Sequence, residues 1–127
     1  MRYMVLIYGN QATWDALNAR MDEVERAHRA LSEELTASGE LVGTQALSSI
    51  GAQTVRVDAG VPTVTDGPFT EAKEMLAGYY LLDCASRDRA VEVAGRLPEA
   101  PYSPIEVRRV MDDDEVFAPA QDRPDHP

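Results

Sequence analysis

Two short runs of the sequence are apolar at almost every position, and they constrain the fold more than any other feature. The first covers residues 3–8 (YMVLIY), and the second covers residues 79–84 (YYLLDC). A strand of this kind has both faces covered, whereas a strand at the surface alternates apolar and polar residues. The sequence therefore predicts a sheet whose central strands are buried on both sides.

One long helix is predicted between these runs, from Thr13 to Ser38. Its apolar residues recur at steps of three and four positions, which places them on one stripe of an α-helix. Ser38 and Gly39 mark its end. A second helix is predicted after Ser86, a good N-cap residue. The stripe of the first helix consists of Trp14, Leu17, Met21, Val24, His28, Leu31 and Leu35, and that of the second of Ala90, Val91, Val93, Ala94 and Leu97.

The remaining strands complete a βαββαβ order. Strands are predicted at residues 41–47, 76–84 and 105–110, and a hairpin at residues 54–58 and 61–65. This order predicts an α+β, ferredoxin-like fold with an inserted β-hairpin. Two helices cover only one face of such a sheet. A second copy, packed sheet to sheet as in a dimeric α/β barrel, is the simplest cover for the other face, so we predict a homodimer.

Charge and composition exclude several classes of function. The 127 residues carry 12 Lys and Arg against 22 Asp and Glu, for a net charge of −10. Such a chain is unsuited to nucleic acid or anionic membranes. The apolar start is too short for a signal peptide or a membrane span, which predicts a cytoplasmic protein. One Cys and two His argue against a metal site, and no nucleotide-binding motif is present, so no cofactor is predicted.

The end of the chain differs from the rest. Residues 112–127 contain six acidic residues, one Arg and three Pro. This composition cannot bury enough apolar surface to order the segment by itself. We therefore predict one domain at residues 1–111, followed by a flexible acidic tail at residues 112–127.

The segment at residues 66–74 (DGPFTEAKE) resembles the signature of the DGPF branch of the YCII-related family. It matches the D-G-P-F-x-E-x-K-E pattern of that branch at every defined position. The opening at residues 1–9, the Ala-His-Arg at 27–29 and the Glu-Val-Arg at 106–108 resemble family features as well. The likeness extends over residues 1–111.

Two departures from the family pattern lie outside this signature. Ala77-Gly78 stands where a Gly-Gly pair is common, and Leu97-Pro98 stands where Cys-Pro is common. Both are expected to affect packing only. The acidic tail has no counterpart in the family pattern.

The resemblance implies a ferredoxin-like fold that pairs as a dimeric α/β barrel. The wider superfamily includes enzymes that act on small organic molecules, and a His–Asp pair has been proposed as the active site of the YCII-related family. Many DGPF genes lie beside genes for extracytoplasmic-function sigma factors, which implies a sigma factor as a regulatory partner.

His28 and Asp66 are the candidate catalytic residues. His28 lies in register with the apolar stripe, so its ring is expected to face the sheet, where a lone His is more often a core residue than a catalyst. The resemblance adds the second interpretation, a general acid/base acting on a bound small molecule. Asp66 opens a D-G-P turn. It would also orient His28 or act on the ligand, as carboxylates do beside catalytic imidazoles.

Four further residues are candidates for binding a substrate. Tyr8 ends the first strand, and Phe69 either anchors the signature loop or walls a pocket. Lys73 would bind an anionic group, with Glu74 as its neighbour. Each has a plainer interpretation as packing or as part of a solvated turn. Tyr79 and Tyr80 are expected on opposite faces of the sheet, so only one of them can line a cavity between paired sheets.

Three hypotheses remain open at this point. The chain is a small-molecule enzyme that uses His28 and Asp66 in a dimer cavity, or it binds a ligand without turnover in a sigma-factor pathway. In the third, it is a stable dimer whose signature is purely structural. A fold class alone does not choose between them.

Overall fold

The described part of this computed structural model covers residues 1–68, 74–119 and 121. Within it, strands and helices follow the predicted order, with one additional helix near each end. In chain order the elements are β1 (Arg2–Gly9), α1 (Gln11–Asn18), α2 (Met21–Ala37), β2 (Leu41–Ala46), β3 (Gln53–Asp58), β4 (Val61–Asp66), β5 (Met75–Asp83), α3 (Arg87–Gly95), β6 (Ile105–Arg109) and α4 (Asp113–Phe117).

The two apolar runs form the neighbouring central strands β1 and β5. They pair antiparallel, with Arg2 opposite Asp83 and Gly9 opposite Met75. The four-stranded sheet has the order β2-β5-β1-β6, and β3 and β4 form a separate two-stranded hairpin. Every neighbouring pair is antiparallel. This is the ferredoxin-like order with an inserted hairpin, and the predicted fold class is confirmed.

The helices cover one face of the four-stranded sheet. Tyr80 and Leu82 of β5 are buried on this face together with three residues of β1. They form one core with α2 and α3, which consists of Tyr3, Val5, Ile7, Leu31, Leu35, Tyr80, Leu82, Cys84, Ala90, Val93, Ala94 and Leu97. Alternate residues point to the other face, which we call the open face. Tyr79 lies there opposite Leu6, so Tyr79 and Tyr80 do lie on opposite faces.

The prediction of one helix from Thr13 to Ser38 was wrong, because the structure has two. Asn10 caps α1 by accepting a hydrogen bond from the Thr13 N–H, so α1 begins earlier than predicted. The backbone then leaves the helical region at Arg20 (φ −132°, ψ 30°). The Arg20 side chain bonds to Glu23 and to the Tyr102 hydroxyl. Periodicity reports which positions are apolar, but not whether the backbone stays helical between them, so it misses a short break. Met21, a member of the predicted stripe just after the break, is 47% exposed.

The hairpin of β3 and β4 turns at Ala59 and Gly60, as the sequence predicted. Both residues have positive φ, of 50° and 79°. Asp66 ends β4 and is followed by Gly67, whose φ of 105° favours glycine. The Gly67 N–H donates to the Ala52 carbonyl. The D-G-P turn interpretation therefore agrees with the geometry at Gly67.

A short helix lies at the start of the segment predicted to be flexible. Asp112 caps α4 through the Glu115 N–H. Both Glu115 carboxylate oxygens accept from the Arg109 guanidinium of β6, at 2.9 and 2.6 Å. This part of the predicted tail is thus tied to the sheet, while residues 120 and 122–127 lie outside the described part. Among the described residues, no helix is both long and apolar enough to cross a membrane.

Candidate functional site

The ring of His28 is held between a tyrosine and a glutamate. Its Nδ1 lies 2.7 Å from the Tyr80 hydroxyl oxygen, and its Nε2 lies 2.6 Å from Oε2 of Glu99. The His28 and Tyr80 rings are stacked, with centroids 5.8 Å apart and planes 19° from parallel. Three elements far apart in the sequence therefore contribute one continuous chain of hydrogen bonds.

Local structure explains why these side chains converge. Leu31 and Leu35 bury the sheet-facing side of α2, and His28 lies one turn earlier on the same side. Tyr80 faces the helices because it alternates with Tyr79 along β5. Glu99 stands in the turn after α3, where its carbonyl accepts from the N–H groups of Tyr102 and Ser103. The buried neighbour Leu97 anchors this turn in the core.

The donors and acceptors of this chain follow from the chemistry of the groups. A carboxylate can only accept, so the short contact to Glu99 requires a proton on His28 Nε2. In a neutral imidazole the other nitrogen is then an acceptor, and Tyr80 donates its hydroxyl proton to Nδ1. The arrangement is that of a carboxylate–imidazole–hydroxyl triad, in which the carboxylate fixes the tautomer and orientation of the ring.

Electrostatics keep the Tyr80 hydroxyl protonated. Burial raises the pKa of Tyr80 above its ordinary value of 10, and the nearby Glu99 charge raises it further. The Ser32 hydroxyl, 3.5 Å from the Tyr80 oxygen, acts in the opposite direction. At neutral pH this hydroxyl therefore carries a proton that it can pass along the chain.

A cavity of about 280 Å³ opens beside this chain of hydrogen bonds. It lies between α2, the turn after α3 and the paired strands β2 and β5, on the helix-covered side of Tyr80. Its lining comprises Ile7, His28, Ser32, Thr44, Gln45, Ala46, Ala77, Gly78, Tyr80 and Glu99. At Gly78 the strands approach closely, since a Cβ there would lie 2.8 Å from the Gln45 carbonyl oxygen. Glycine thus permits both the strand pairing and the space beside it.

Asp66 and His28, the two predicted catalytic residues, take part in separate contacts. Asp66 lies at the exposed end of the hairpin and accepts a hydrogen bond from the Gln53 amide, at 3.3 Å. Within residues 1–68 and 74–119, no hydrogen bond joins Asp66 to His28. Both ring nitrogens of His28 already have partners in Tyr80 and Glu99.

The predicted binding residues lie away from this cavity where they are described. Tyr8 donates to Oε1 of Glu106 at 3.2 Å, on the open face of the sheet. Glu74 accepts from the Asn10 amide at 3.2 Å, just before β5. Phe69 and Lys73 lie outside the described residues.

Tyr80 and Glu99 are the two residues of the site that the sequence did not predict as functional. From the sequence, Tyr80 is expected to be a packing residue within an apolar strand. Glu99 is one acidic residue in a proline-rich loop, with nothing in the sequence to distinguish it. Glu99 is 71 positions from His28, so no local spacing connects them. The one available signal was the polar His28 on an apolar stripe, because a buried imidazole needs hydrogen-bond partners.

The acidic and imidazole groups of the described ranges do not assemble a metal centre. There, no group of three or more His, Cys, Asp or Glu side chains converges in a way that could hold a metal ion. His28 and Glu99 are a pair, and their shortest contact is a hydrogen bond between them.

Comparison with known proteins shows the family of this chain and one of its relatives. The profile of the YCII-related domain matches residues 1–114. An uncharacterised protein of Rhizobium meliloti (strain 1021) is 39% identical over 102 residues, which cover 79% of this chain and 82% of that protein. The family match extends past β6 to the beginning of α4.

Proposed function

The chain belongs to the YCII-related family, and we propose that it is a small-molecule enzyme that abstracts and returns a proton. The observation that carries this proposal is the chain of hydrogen bonds from Tyr80 through His28 to Glu99, beside a cavity of about 280 Å³. Buried chains of this kind transfer protons in many enzymes, because each member is held in the orientation that transfer requires.

In the proposed step the Tyr80 oxygen takes a proton from the bound molecule. As it does so, the original Tyr80 proton passes to His28 Nδ1, and the imidazole becomes an imidazolium. Glu99 balances that positive charge through the 2.6 Å contact at Nε2. The reverse transfer returns a proton to the same or to a neighbouring atom of the ligand. No atom is lost, so the step needs no further reactant.

In this proposal Glu99 has the orienting role that the sequence hypothesis gave to Asp66. His28 keeps its predicted role as acid/base, and Tyr80 is the group in contact with the ligand. Asp66 then shapes the turn before the signature segment, with Gly67 supplying the positive φ.

We also propose that two copies pair through their open faces. Met4 and Leu6 of β1 and Leu81 of β5 lie on this face and are only partly covered in the single chain. Apolar side chains on a sheet face are stabilised by removal from water. The cavity beside His28 lies on the opposite side of the sheet, so pairing of this kind leaves it open to a ligand.

The direct test is a thermal-shift screen of the full-length protein against a broad panel of metabolites. A ligand at a hundred times its Kd stabilises by about 2.7 kcal/mol, enough to shift Tm by several degrees. A compound that raises Tm should then be incubated with the protein in D2O, and the NMR spectrum of the compound should be followed over time. We expect deuterium to replace a carbon-bound hydrogen of the ligand with the wild-type protein and with Tyr79→Phe, but not with Tyr80→Phe or His28→Gln.

The two tyrosine variants form a matched pair, because neighbouring residues of β5 lose the same atom on opposite faces. A ligand that binds without exchange or turnover would favour the non-catalytic alternative. Failure of every compound in the panel would favour a role through protein partners, such as the sigma factor that the resemblance implies.

A further inference from the structure

The cavity beside His28 has one fixed charge among its described lining residues, and that charge is negative. Of these ten residues, only Glu99 has an acidic side chain, and none is Lys or Arg. An anionic ligand placed here would lose its hydration without gaining a cationic partner from these residues. The lining therefore disfavours carboxylates and phosphates.

One oxygen of Glu99 is also left without a donor. Oε2 accepts from His28, but no group in the described ranges donates a hydrogen bond to the buried Oε1. The Glu99 side chain is only 10% exposed. A buried carboxylate oxygen without a donor is unfavourable, and a ligand carrying N–H or O–H groups is one way to satisfy it.

The remaining lining limits the size and character of the ligand. The cavity, of about 280 Å³, lies just below the range of about 300–1,000 Å³ that small-molecule sites usually span, so it suits a small ligand. Ile7, Ala46 and Ala77 provide apolar contacts, while Ser32 and Gln45 are polar. The net charge of −10 further favours the approach of cations over anions.

We propose that this cavity takes a small amine, or a neutral hydroxyl compound, and excludes the corresponding carboxylate. This inference rests on the function proposed above, for which it names the class of substrate. A cationic or neutral ligand also suits the proposed proton transfer, because the ligand then loses its proton without becoming a dianion beside Glu99.

The test uses matched triplets of amine, alcohol and carboxylate, such as benzylamine, benzyl alcohol and benzoate. About a dozen triplets of six to twelve non-hydrogen atoms would be titrated by NMR into the full-length protein at pH 7.5. We expect amines to bind at least tenfold more tightly than their carboxylates, with alcohols between them. Glu99→Gln should reduce this preference to threefold or less.

A second variant tests the same inference by a substitution at an exposed residue. Ala46 lines the cavity but is exposed, so Ala46→Lys should fold and should add carboxylate binding. Ala37→Lys, at the exposed end of α2 outside the lining, is the matched control and should change nothing. Carboxylates that bind the wild-type protein as tightly as amines, or no binding by any triplet, would overturn the inference.

These readouts measure binding alone. If amines bind preferentially but no proton exchange occurs, the substrate class stands and the enzymatic proposal fails. If proton exchange is found with a carboxylate ligand, the enzymatic proposal stands and the inferred substrate class fails.

Discussion

His28 and Glu99 are 71 positions apart in the sequence, and their side chains meet at 2.6 Å between Nε2 and Oε2. The contact joins α2 to the turn after α3, over the sheet that both helices cover. Since Tyr80 occupies the other ring nitrogen, the imidazole is fixed at both ends. In the function proposed above, the partly buried His28 contributes both to stability and to chemistry, and substitutions can separate the two contributions.

Removal of the Tyr80 hydroxyl should lower stability modestly. Tyr80→Phe leaves the ring packing but deprives His28 Nδ1 of its donor in a site where Tyr80 is 2% exposed. We expect a loss of about 1 kcal/mol in the free energy of unfolding, measured by urea denaturation. Tyr79→Phe, on the open face, should cost less than half as much. Equal effects of the two substitutions would contradict the proposed importance of the buried contact.

Gly78→Ala should disturb the pairing of β5 with β2. The new Cβ would lie 2.8 Å from the Gln45 carbonyl oxygen, a backbone atom that cannot move without shifting its strand. We expect a loss of about 1–3 kcal/mol, typical of overpacking, together with weaker binding in the cavity. Gly43→Ala in β2 is the control, because a Cβ at Gly43 would have nothing within 4 Å. A Gly78→Ala protein as stable as Gly43→Ala would refute the steric argument.

The pair formed by Glu40 and Arg89 should make stability depend on acid pH. Hydrogen bonds from Arg89, assisted by Ser38, lower the pKa of Glu40 from its ordinary 4.5 to about 2. Because the folded pKa is the lower one, the stabilisation is complete above 4.5 and is lost as the pH falls towards 2. Arg89→Gln should therefore cost about 1–2 kcal/mol at pH 7 and less than half as much at pH 3.

The control for this pH dependence is Arg29→Gln. Arg29 pairs with Glu25 one turn away on α2, and both side chains are more than 60% exposed. Exposed pairs of this kind contribute little, so the urea midpoint should change little at either pH. A constant difference between the wild-type protein and Arg89→Gln from pH 7 to pH 3 would show that Glu40 does not titrate as described.

Pairing through the open face predicts that a charge there will separate the two copies. Leu6 lies on β1 opposite Tyr79, at the centre of this face. Sedimentation of the wild-type protein at micromolar concentration should give the mass of two chains, and Leu6→Glu should give one. Val91→Glu changes an exposed residue of α3 on the outer surface and should leave the dimer intact. A wild-type protein with the mass of one chain would exclude this pairing.

Much of the fold follows from the sequence alone, since it depends on local chemistry. The runs at residues 3–8 and 79–84 identified the central strands, and Ser86 marked the start of α3, where it accepts from the Arg89 N–H. Alternation along β5 placed Tyr79 and Tyr80 on opposite faces. The break at Arg20 was missed; the Arg20 side chain there contacts Tyr102, 82 positions away, which no local pattern shows.

The candidate site, like the fold, could be predicted only in part from the sequence. The sequence determined that His28 would face the sheet, because a period of 3.6 residues fixes the direction of every side chain on a helix. It did not determine what His28 would meet there. Glu99 reaches the ring only because Leu97 anchors the turn after α3 in the core and the sheet order brings β5 beneath α2. Contacts between distant segments are set by packing, and no local pattern encodes them.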